Sequence, residues 1–195
     1  MRITASRPCL RLVFTLSFIL AALFLAAIAM TTPSSPARAA ENAVDCAALA
    51  VSFETKDGFE LSCAVGTDML PGMEGGSVEK QRLEATANDG TTFVDARYFD
   101  LLGRVYFTNP DLRTNFNDFY GKLEIKNWQT GQAVSTLTTA EFTADMRGLP
   151  SKCVAFQKLA HHAWDGYKKL MIGISCTQGD LGLAYAALKH LRLPD

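Results

Sequence analysis

The sequence lacks the short motifs that mark several common catalytic and cofactor sites. It contains no Cys-x-x-Cys of the kind used in thioredoxin-like redox sites, and no Cys-x-x-Cys-His for covalent haem attachment. It also lacks the Gly-x-Ser-x-Gly nucleophile elbow and the Gly-Lys-Ser/Thr end of a phosphate-binding loop. We therefore expect no cofactor. The missing motifs also weigh against a catalytic function that depends on one of them.

Acidic residues are absent from the first 39 positions, although the whole chain is close to neutral. The 195 residues are 48% hydrophobic and 20% charged, with a formal charge of −1. This composition excludes a disordered polymer, a collagen and a multi-pass membrane protein. Residues 40–195 contain 15 Lys and Arg against all 20 Asp and Glu, a formal charge of −5. Together with the lack of a basic run, this acidity disfavours a nucleic-acid partner.

The N-terminal segment has the organisation of an export signal. Three arginines within residues 2–11 precede an apolar run over 12–30, and prolines then prevent a helix from continuing. Ala37-Arg38-Ala39 follows, with small residues at the two positions that signal peptidase reads. We predict a signal peptide over 1–39, cleaved after Ala39 or one residue later.

The same apolar run leaves an uncleaved membrane anchor over 12–30 as an alternative. Its 19 residues approach the length of about 20 that spans a bilayer. Both interpretations place 40–195, which we expect to form a single domain, outside the cytoplasm. We expect a bacterial protein that is periplasmic or secreted, or else anchored in the inner membrane and facing the periplasm.

The cysteines of the predicted mature chain indicate disulfides. Cys9 lies within the signal, which leaves Cys46, Cys63, Cys153 and Cys176. An even number of cysteines in an exported chain is typical of disulfide pairing, and four cysteines allow three pairings. We favour Cys46–Cys63 and Cys153–Cys176 because each pair is local, and each bridge would contribute about 3 kcal/mol.

Alternating apolar residues predict antiparallel hairpins in the first two thirds of the mature chain. The predicted strand pairs are 49–53 with 59–63, 79–87 with 91–99, and 119–126 with 133–138. A helix is the alternative for 79–87, although Asn88-Asp89-Gly90 is a strong turn signal that favours the hairpin. We also expect a glycine-rich loop over 66–77, a short strand over 103–107, and a loop or short helix over 112–118.

The last third changes to the spacing of helices. Thr138 and Glu141 have the positions of a capping box, which predicts a short helix ending at Arg147. A longer helix is predicted from Ser151 to about 167, then a buried strand over 169–176 and a final helix capped by Asp180. The predicted fold is therefore α+β: an antiparallel sheet of hairpins, helices concentrated in the C-terminal third, and stabilising disulfides.

His161, His162 and Asp165 are a weak candidate for an enzyme site. On the predicted helix, His161 and Asp165 are four residues apart and share one face, where a carboxylate could orient an imidazole. The two neighbouring imidazoles would point about 100° apart and would not converge on one metal ion. A solvated helix face is the simpler interpretation, so we expect no catalytic residue and no metal site here.

Paired aromatic residues suggest a binding platform. Tyr98-Phe99, Tyr106-Phe107 and Phe119-Tyr120 would each direct one ring to either face of a strand. If one face is open, Tyr98, Tyr106 and Tyr120 would form a platform for a glycan, a peptide or a partner protein. If helices cover that face, all of these rings belong to the core.

The leading functional hypothesis is a small, non-catalytic binding or accessory protein of the bacterial envelope. Its expected partner is an envelope protein, a glycan or a peptide, with membrane contact only through an uncleaved N-terminal segment. The alternatives are a small periplasmic hydrolase that uses a His/carboxylate pair and a membrane-anchored accessory subunit of an envelope complex.

Overall fold

The computed structural model describes residues 41–54, 58–68, 78–101 and 106–192, and these ranges are mostly antiparallel sheet. The strands are β1 (Asn42–Ala43), β2 (Ser52–Phe53), β3 (Phe59–Asp68), β4 (Val78–Ala87), β5 (Thr92–Asp100), β6 (Lys126–Thr130), β7 (Thr138–Met146), β8 (Leu149–Ala163), β9 (Gly166–Thr177) and β10 (Leu191–Arg192). The helices in these ranges are a 3-10 turn (Cys46–Ala48), α1 (Leu112–Tyr120) and α2 (Leu181–Leu188).

Eight strands form one sheet in the order β1-β3-β4-β5-β9-β8-β7-β6, and every neighbouring pair is antiparallel. The separate pair β10-β2 is also antiparallel. The antiparallel sheet and the presence of helices agree with the predicted fold class. The predicted concentration of helices near the C-terminus is wrong, because only α2 lies in the described part of the last third.

The hairpin of β4 and β5 forms as predicted. Its turn runs through Asn88, Asp89 and Gly90, and Gly90 has a φ of +71°, a conformation that glycine adopts without strain. Leu83 and Ala85 are buried on one face of β4. This alternation is the pattern that the sequence showed, so here the local signal and the fold agree.

The first predicted hairpin has different partners in the structure. β3 pairs along its whole length with β4, while β2 pairs with β10 from the far end of the chain. Phe53 of β2 still packs against Phe59 of β3, with ring centroids 5.2 Å apart. The two segments are therefore neighbours in the core, but their backbones do not form the predicted ladder.

Two predicted helices are strands. The segment 138–147 forms β7, and the segment from Ser151 onward forms most of β8. Residues 153–157 are all buried because the sheet is covered on both faces in this region. A strand buried on both faces carries a continuous apolar run, and such a run can match helical spacing by coincidence.

Two other local predictions are also wrong: a predicted strand begins as a helix, and a predicted turn is a strand. Residues 119 and 120 end α1 instead of beginning a strand. Residues 127–130 belong to β6, although the sequence predicts a turn over 127–131 between the strands 119–126 and 133–138. The partner strand expected over 133–138 is reduced to an isolated bridge between Val134 and Leu137. The helix α1 forms because Asp111 caps its N-terminus. Asp111 Oδ1 accepts a hydrogen bond from Thr114 N at 2.7 Å.

The sheet carries a separate apolar cluster on each face. One cluster packs α2 residues such as Ala184 and Leu188 against β5, β8 and β9, and it extends along the same face to β3 and β4. The other packs Phe116 and Tyr120 of α1 against β7, β8 and β9. This three-layer arrangement explains why so much of β8 and β9 is buried.

Both predicted disulfides are present. Cys46–Cys63 joins the 3-10 turn to β3, with Cα atoms 5.2 Å apart. Cys153–Cys176 joins directly opposite residues of β8 and β9, with Cα atoms 4.1 Å apart. Both cysteines of the second bridge are fully buried.

Several predictions lie outside the described residues. These are the signal peptide, the alternative anchor over 12–30, residues 69–77 of the glycine-rich loop and residues 103–105 of the short strand predicted over 103–107. None of the helices in the described ranges has the length and hydrophobicity needed to cross a bilayer.

Candidate functional site

The three tyrosines of the predicted platform do not share an exposed face. Tyr98 is 5% exposed and packs in the α2-side cluster, whereas Tyr120 is 8% exposed and packs in the α1-side cluster. Tyr106 is half-buried beside the β8–β9 hairpin. A three-tyrosine platform is therefore not the arrangement that the fold produces, because Tyr98 and Tyr120 are buried in separate clusters on opposite faces of the sheet.

A charged network that the sequence analysis missed lies on the α1 side of β4 and β5. Asp95 is 5% exposed, and its Oδ1 accepts a hydrogen bond from Arg82 Nε at 3.0 Å. Its Oδ2 lies 3.6 Å from Arg97 Nη2 and accepts a hydrogen bond from the Tyr120 hydroxyl at 3.3 Å. Arg97 also stacks on the Tyr120 ring at 4.3 Å and donates to the Phe119 carbonyl at 3.0 Å.

The network continues toward the β1 end of the sheet. Lys80, which is 5% exposed, has its Nζ 2.6 Å from Glu41 and 3.2 Å from Asp68. Arg82 also contacts Glu84 at 2.6 Å and Glu41 at 3.4 Å. The Lys80–Asp68 pair joins the adjacent strands β4 and β3, and the contacts with Glu41 fasten the residue before β1 to β4, which is a structural function.

The pKa values in this network follow from its burial and charges. Burial of the Tyr120 hydroxyl, reinforced by the charge of Asp95, raises its pKa well above the ordinary value. Burial opposes the charged form of Glu41, but Lys80 and Arg82 outweigh it, so the pKa of Glu41 is lowered. Glu41 therefore remains charged and paired with Lys80 near neutral pH, and the Tyr120 phenol remains neutral and hydrogen-bonded to Asp95.

His161, His162 and Asp165 lie at the far end of the β8–β9 hairpin, not on a helix. The helical argument that placed His161 and Asp165 on one face is therefore wrong. His162 lies opposite Tyr167 in the ladder, with the two rings 5.0 Å apart and edge-on. In the described residues, no group of three or more His, Cys, Asp or Glu side chains is placed to hold a metal ion.

The end of this hairpin carries the most exposed aromatic side chain in the described ranges. Trp164 has a relative exposure of 103%, so its indole is fully solvated. It occupies the two-residue turn with Asp165, between the paired residues Ala163 and Gly166. Gly166 has a φ of +139°, and a Cβ there would lie 2.5 Å from the Phe107 carbonyl oxygen. Only glycine fits this turn without displacing the backbone.

Neighbouring residues of the hairpin and of the adjoining loop add aromatic and basic side chains to this end of the molecule. Lys168 Nζ lies 3.8 Å from the centroid of the Tyr106 ring, and His161 and His162 are exposed. We refer to this group as the hairpin tip; its members are Tyr106, His161, His162, Trp164, Tyr167 and Lys168. Its position unites Tyr106 of the predicted platform with both histidines of the predicted enzyme site.

The hairpin tip extends beyond the flanking strands of the sheet. On one side β5 ends where Asp100 pairs with Lys169, and on the other β7 begins where Thr138 pairs with Gln157. Beyond these points the hairpin is supported by a bridge between Phe107 and Tyr167. Two backbone hydrogen bonds of 2.8 and 3.0 Å form this bridge, so the protruding segment has a defined backbone.

A second feature is a cleft of about 420 Å³ beside α2. Its lining includes Gln132, Asp180, Tyr185 and Lys189. The Tyr185 hydroxyl donates to Glu141 at 2.8 Å and accepts from Gln132 N at 2.8 Å. Burial and the Glu141 carboxylate raise the pKa of Tyr185. Its hydroxyl joins α2 to β7 as a donor to Glu141 and to the preceding loop as an acceptor from Gln132.

The sequence contained one signal for the hairpin tip that the helical interpretation obscured. Asp165-Gly166 was assigned as the end of a helix, but the same dipeptide is a hairpin turn signal between two strands. The exposure of Trp164 depends on that turn. No protein-family model, curated protein or solved structure matches this chain.

Proposed function

We propose that this chain is an exported, non-catalytic binding protein whose recognition element is the hairpin tip. The observation that carries the proposal is the complete exposure of Trp164 at the end of a supported hairpin. Large aromatic side chains in contact with solvent are enriched where proteins bind partners, and Trp is the residue type most often found at energetic hot spots.

The shape of the hairpin tip favours binding over catalysis. Trp164 and its neighbours project outward beyond the flanking strands, so they present side chains to a partner instead of enclosing a small substrate. Ligand and substrate sites are usually concave. The cleft beside α2 is concave, but its central hydroxyl, that of Tyr185, is occupied in bonds that hold the fold together.

Export is supported by the two disulfides, which form and persist in oxidising compartments. The N-terminal pattern adds a defined expectation for processing. Intact-mass measurement of the protein recovered from cells should correspond to a chain that begins at Ala40 or Glu41. A mass that includes residues 1–39 would show that the segment is retained as an anchor.

The binding function can be tested by placing a photo-reactive residue at position 165, next to Trp164. Asp165 is exposed, so the probe can be introduced without disturbing the core. A probe at position 183 is the matched control, because Leu183 is an exposed apolar residue, 49% accessible, on a different element. After irradiation of intact cells, we expect cross-linked product from position 165 and little or none from position 183.

A second comparison tests whether Trp164 itself contributes. With the probe at position 165, Trp164→Ala should lower the cross-linking yield at least about tenfold, because burial of a large aromatic ring contributes roughly 1.5–3 kcal/mol. Equal yields from positions 165 and 183, or a yield indifferent to Trp164→Ala, would refute the proposal. Mass spectrometry of the product identifies it as a protein, glycan or lipid adduct.

A further inference from the structure

We infer that the partner of the hairpin tip is the surface of an anionic lipid bilayer, into which Trp164 inserts at the level of the headgroups. The inference rests on the proposed function and names its partner. It differs from the sequence-based expectation, which limited membrane contact to the N-terminal segment.

The aromatic composition of the hairpin tip is that of a membrane interface. Trp and Tyr are enriched where a bilayer meets water, because their rings are amphipathic: the body is apolar and the N–H or O–H remains hydrated. Trp164 is at the apex, and the rings of Tyr106 and Tyr167 lie behind it on the adjoining strand and loop. The apex ring would enter first while the others remain at the polar boundary.

Charge supports an anionic surface. The distal hairpin, residues 157–170, contains three lysines and one aspartate, a formal charge of +2. Asp100 lies opposite Lys169 and offsets one of these charges. The hairpin thus remains positive on a chain whose residues 40–195 sum to −5, so an anionic surface attracts this end and repels the rest.

The hairpin tip is also preorganised for insertion. The Phe107–Tyr167 bridge holds one side of the hairpin, and the Leu101 amide donates to the Lys168 carbonyl at 2.9 Å. Lys168 is held over the Tyr106 ring. Because these contacts fix the backbone behind the turn, docking needs little further ordering, which favours a weak but direct interaction.

The chain offers a sharp optical test because it contains only two tryptophans, Trp128 and Trp164. Trp128 is partly buried against the α1-side cluster, with Arg113 stacked 4.4 Å from its centroid and Phe142 at 5.8 Å. Trp128→Phe keeps an aromatic ring in that packing and leaves Trp164 as the only indole. The emission of this variant therefore reports on the hairpin tip alone.

The protein is used in the form recovered from cells, and it is mixed with vesicles of phosphatidylglycerol and phosphatidylcholine or of phosphatidylcholine alone. With the mixed vesicles, we expect the Trp164 emission to shift to shorter wavelength and to be quenched by lipids brominated near the headgroup. Neutral vesicles should give a much weaker response. An unchanged emission with both vesicle types would overturn the inference.

Co-sedimentation with the same vesicles provides a readout that does not depend on fluorescence. Trp164→Ala should weaken partition into mixed vesicles about tenfold or more, and Lys158→Glu should weaken it about fivefold through repulsion. Leu183→Ala is the control and should leave partition unchanged. Circular dichroism spectra establish that each variant is folded. For protein recovered without residues 1–39, equal partition of Trp164→Ala and the parent would overturn the inference. For protein that retains those residues, the Trp164 emission and its quenching decide, because an anchor alone would hold both variants in the vesicles.

The outcomes separate the lipid inference from the proposed function. A protein or glycan adduct that depends on Trp164, with no response to vesicles, would overturn the lipid inference and leave the binding function intact. A lipid adduct and quenching of Trp164 would support both. If neither cross-linking nor vesicle binding depends on Trp164, both fail.

Discussion

At the residue scale, the carboxylate of Asp95 holds together groups from three elements. It receives Arg82 from β4, Arg97 from its own strand β5 and the hydroxyl of Tyr120 from α1. Asp95 is only 5% exposed, so these partners must replace the water that would otherwise solvate its charge. The arginines in turn depend on Asp95 for a neighbouring negative charge. Asp95 is therefore a structural residue, although its cluster of charged partners resembles a functional site.

Asp95→Asn should destabilise the protein by about 3 kcal/mol. The amide nearly preserves the volume of the side chain but leaves the buried guanidinium of Arg97 without its anionic neighbour, and breaking a buried ion pair typically costs about 3–5 kcal/mol. Urea unfolding monitored by circular dichroism measures the change. Glu60→Gln is the control because Glu60 is an exposed carboxylate on neighbouring β3; equal losses for both variants would show that Asp95 has no special role.

His161 and His162 show how strongly the role of a residue depends on its element. On a helix, His161 would have shared a face with Asp165, and the pair would have had the geometry of an oriented base. On a strand, adjacent side chains point to opposite faces, and His162 instead packs edge-on against Tyr167. The same residues therefore belong to an exposed surface.

At the element scale, β8 and β9 dominate the architecture. β9 is one of the two middle strands of the sheet, β8 lies beside it, and the far end of this pair forms the hairpin tip. The centre is packed closely: at Gly173 of β9, a Cβ would collide with the Asp95 carbonyl oxygen and with the ring of Phe156. This glycine is required by space, since its φ is not in the left-handed region.

Gly173→Ala should cost about 2–3 kcal/mol of unfolding free energy, the range expected when a well-packed core is overfilled. Gly179→Ala is the matched control, because an added Cβ there meets its nearest neighbour at 3.4 Å, ordinary van der Waals contact. Thermal unfolding of both variants gives the comparison. A melting temperature for Gly173→Ala equal to that of the control would mean that β9 can shift to make room.

The positions of the short helices are predicted better by their N-cap residues than by the spacing of their apolar residues. Asp180 Oδ1 accepts a hydrogen bond from Gly182 N at 2.7 Å, which starts α2 where the sequence predicted it. Thr138 and Glu141 have the same quality of local signal, yet they lie in β7 because neighbouring β8 supplies a ladder along the whole segment. A capping residue therefore predicts a helix only where no neighbouring strand offers the segment a more stable pairing.

At the scale of the whole molecule, two disulfides join segments that the sheet already places together. Cys46–Cys63 fastens the N-terminal turn to β3, and Cys153–Cys176 crosses the central β8–β9 ladder. They close loops with sequence separations of 17 and 23 residues. Closing loops of this length lowers the conformational entropy of the unfolded chain, which stabilises the folded protein.

Replacing either pair with serine should lower the unfolding free energy by about 3 kcal/mol. Denaturant titration of Cys46→Ser/Cys63→Ser and of Cys153→Ser/Cys176→Ser measures each contribution. In the unmodified protein, a thiol reagent should detect none of the four cysteines, and the fully buried Cys153–Cys176 bridge should resist reductant until the protein unfolds. Reaction of these four thiols in the native protein would contradict the structure.

Local chemistry made parts of the fold predictable. The β4–β5 hairpin follows from a turn signal between alternating segments, the strand over 169–176 from a short apolar run, and the disulfides from two local pairs of cysteines. The failures lie where partners are distant in sequence. Nothing near β2 specifies that it pairs with β10, and nothing near Ser151 indicates that both faces of its strand will be covered.

The sequence by itself predicted the turn between β4 and β5, the cap of α2, a preference for the two local cysteine pairs and the expectation of export, because each depends on residues close together in the chain. The tertiary structure decided that 138–163 is sheet, that Tyr98 and Tyr120 are core residues, and that Trp164 stands at an exposed end. The reason is physical: burial and exposure depend on which elements cover a strand, and that covering comes from α1 and α2, far away in the sequence.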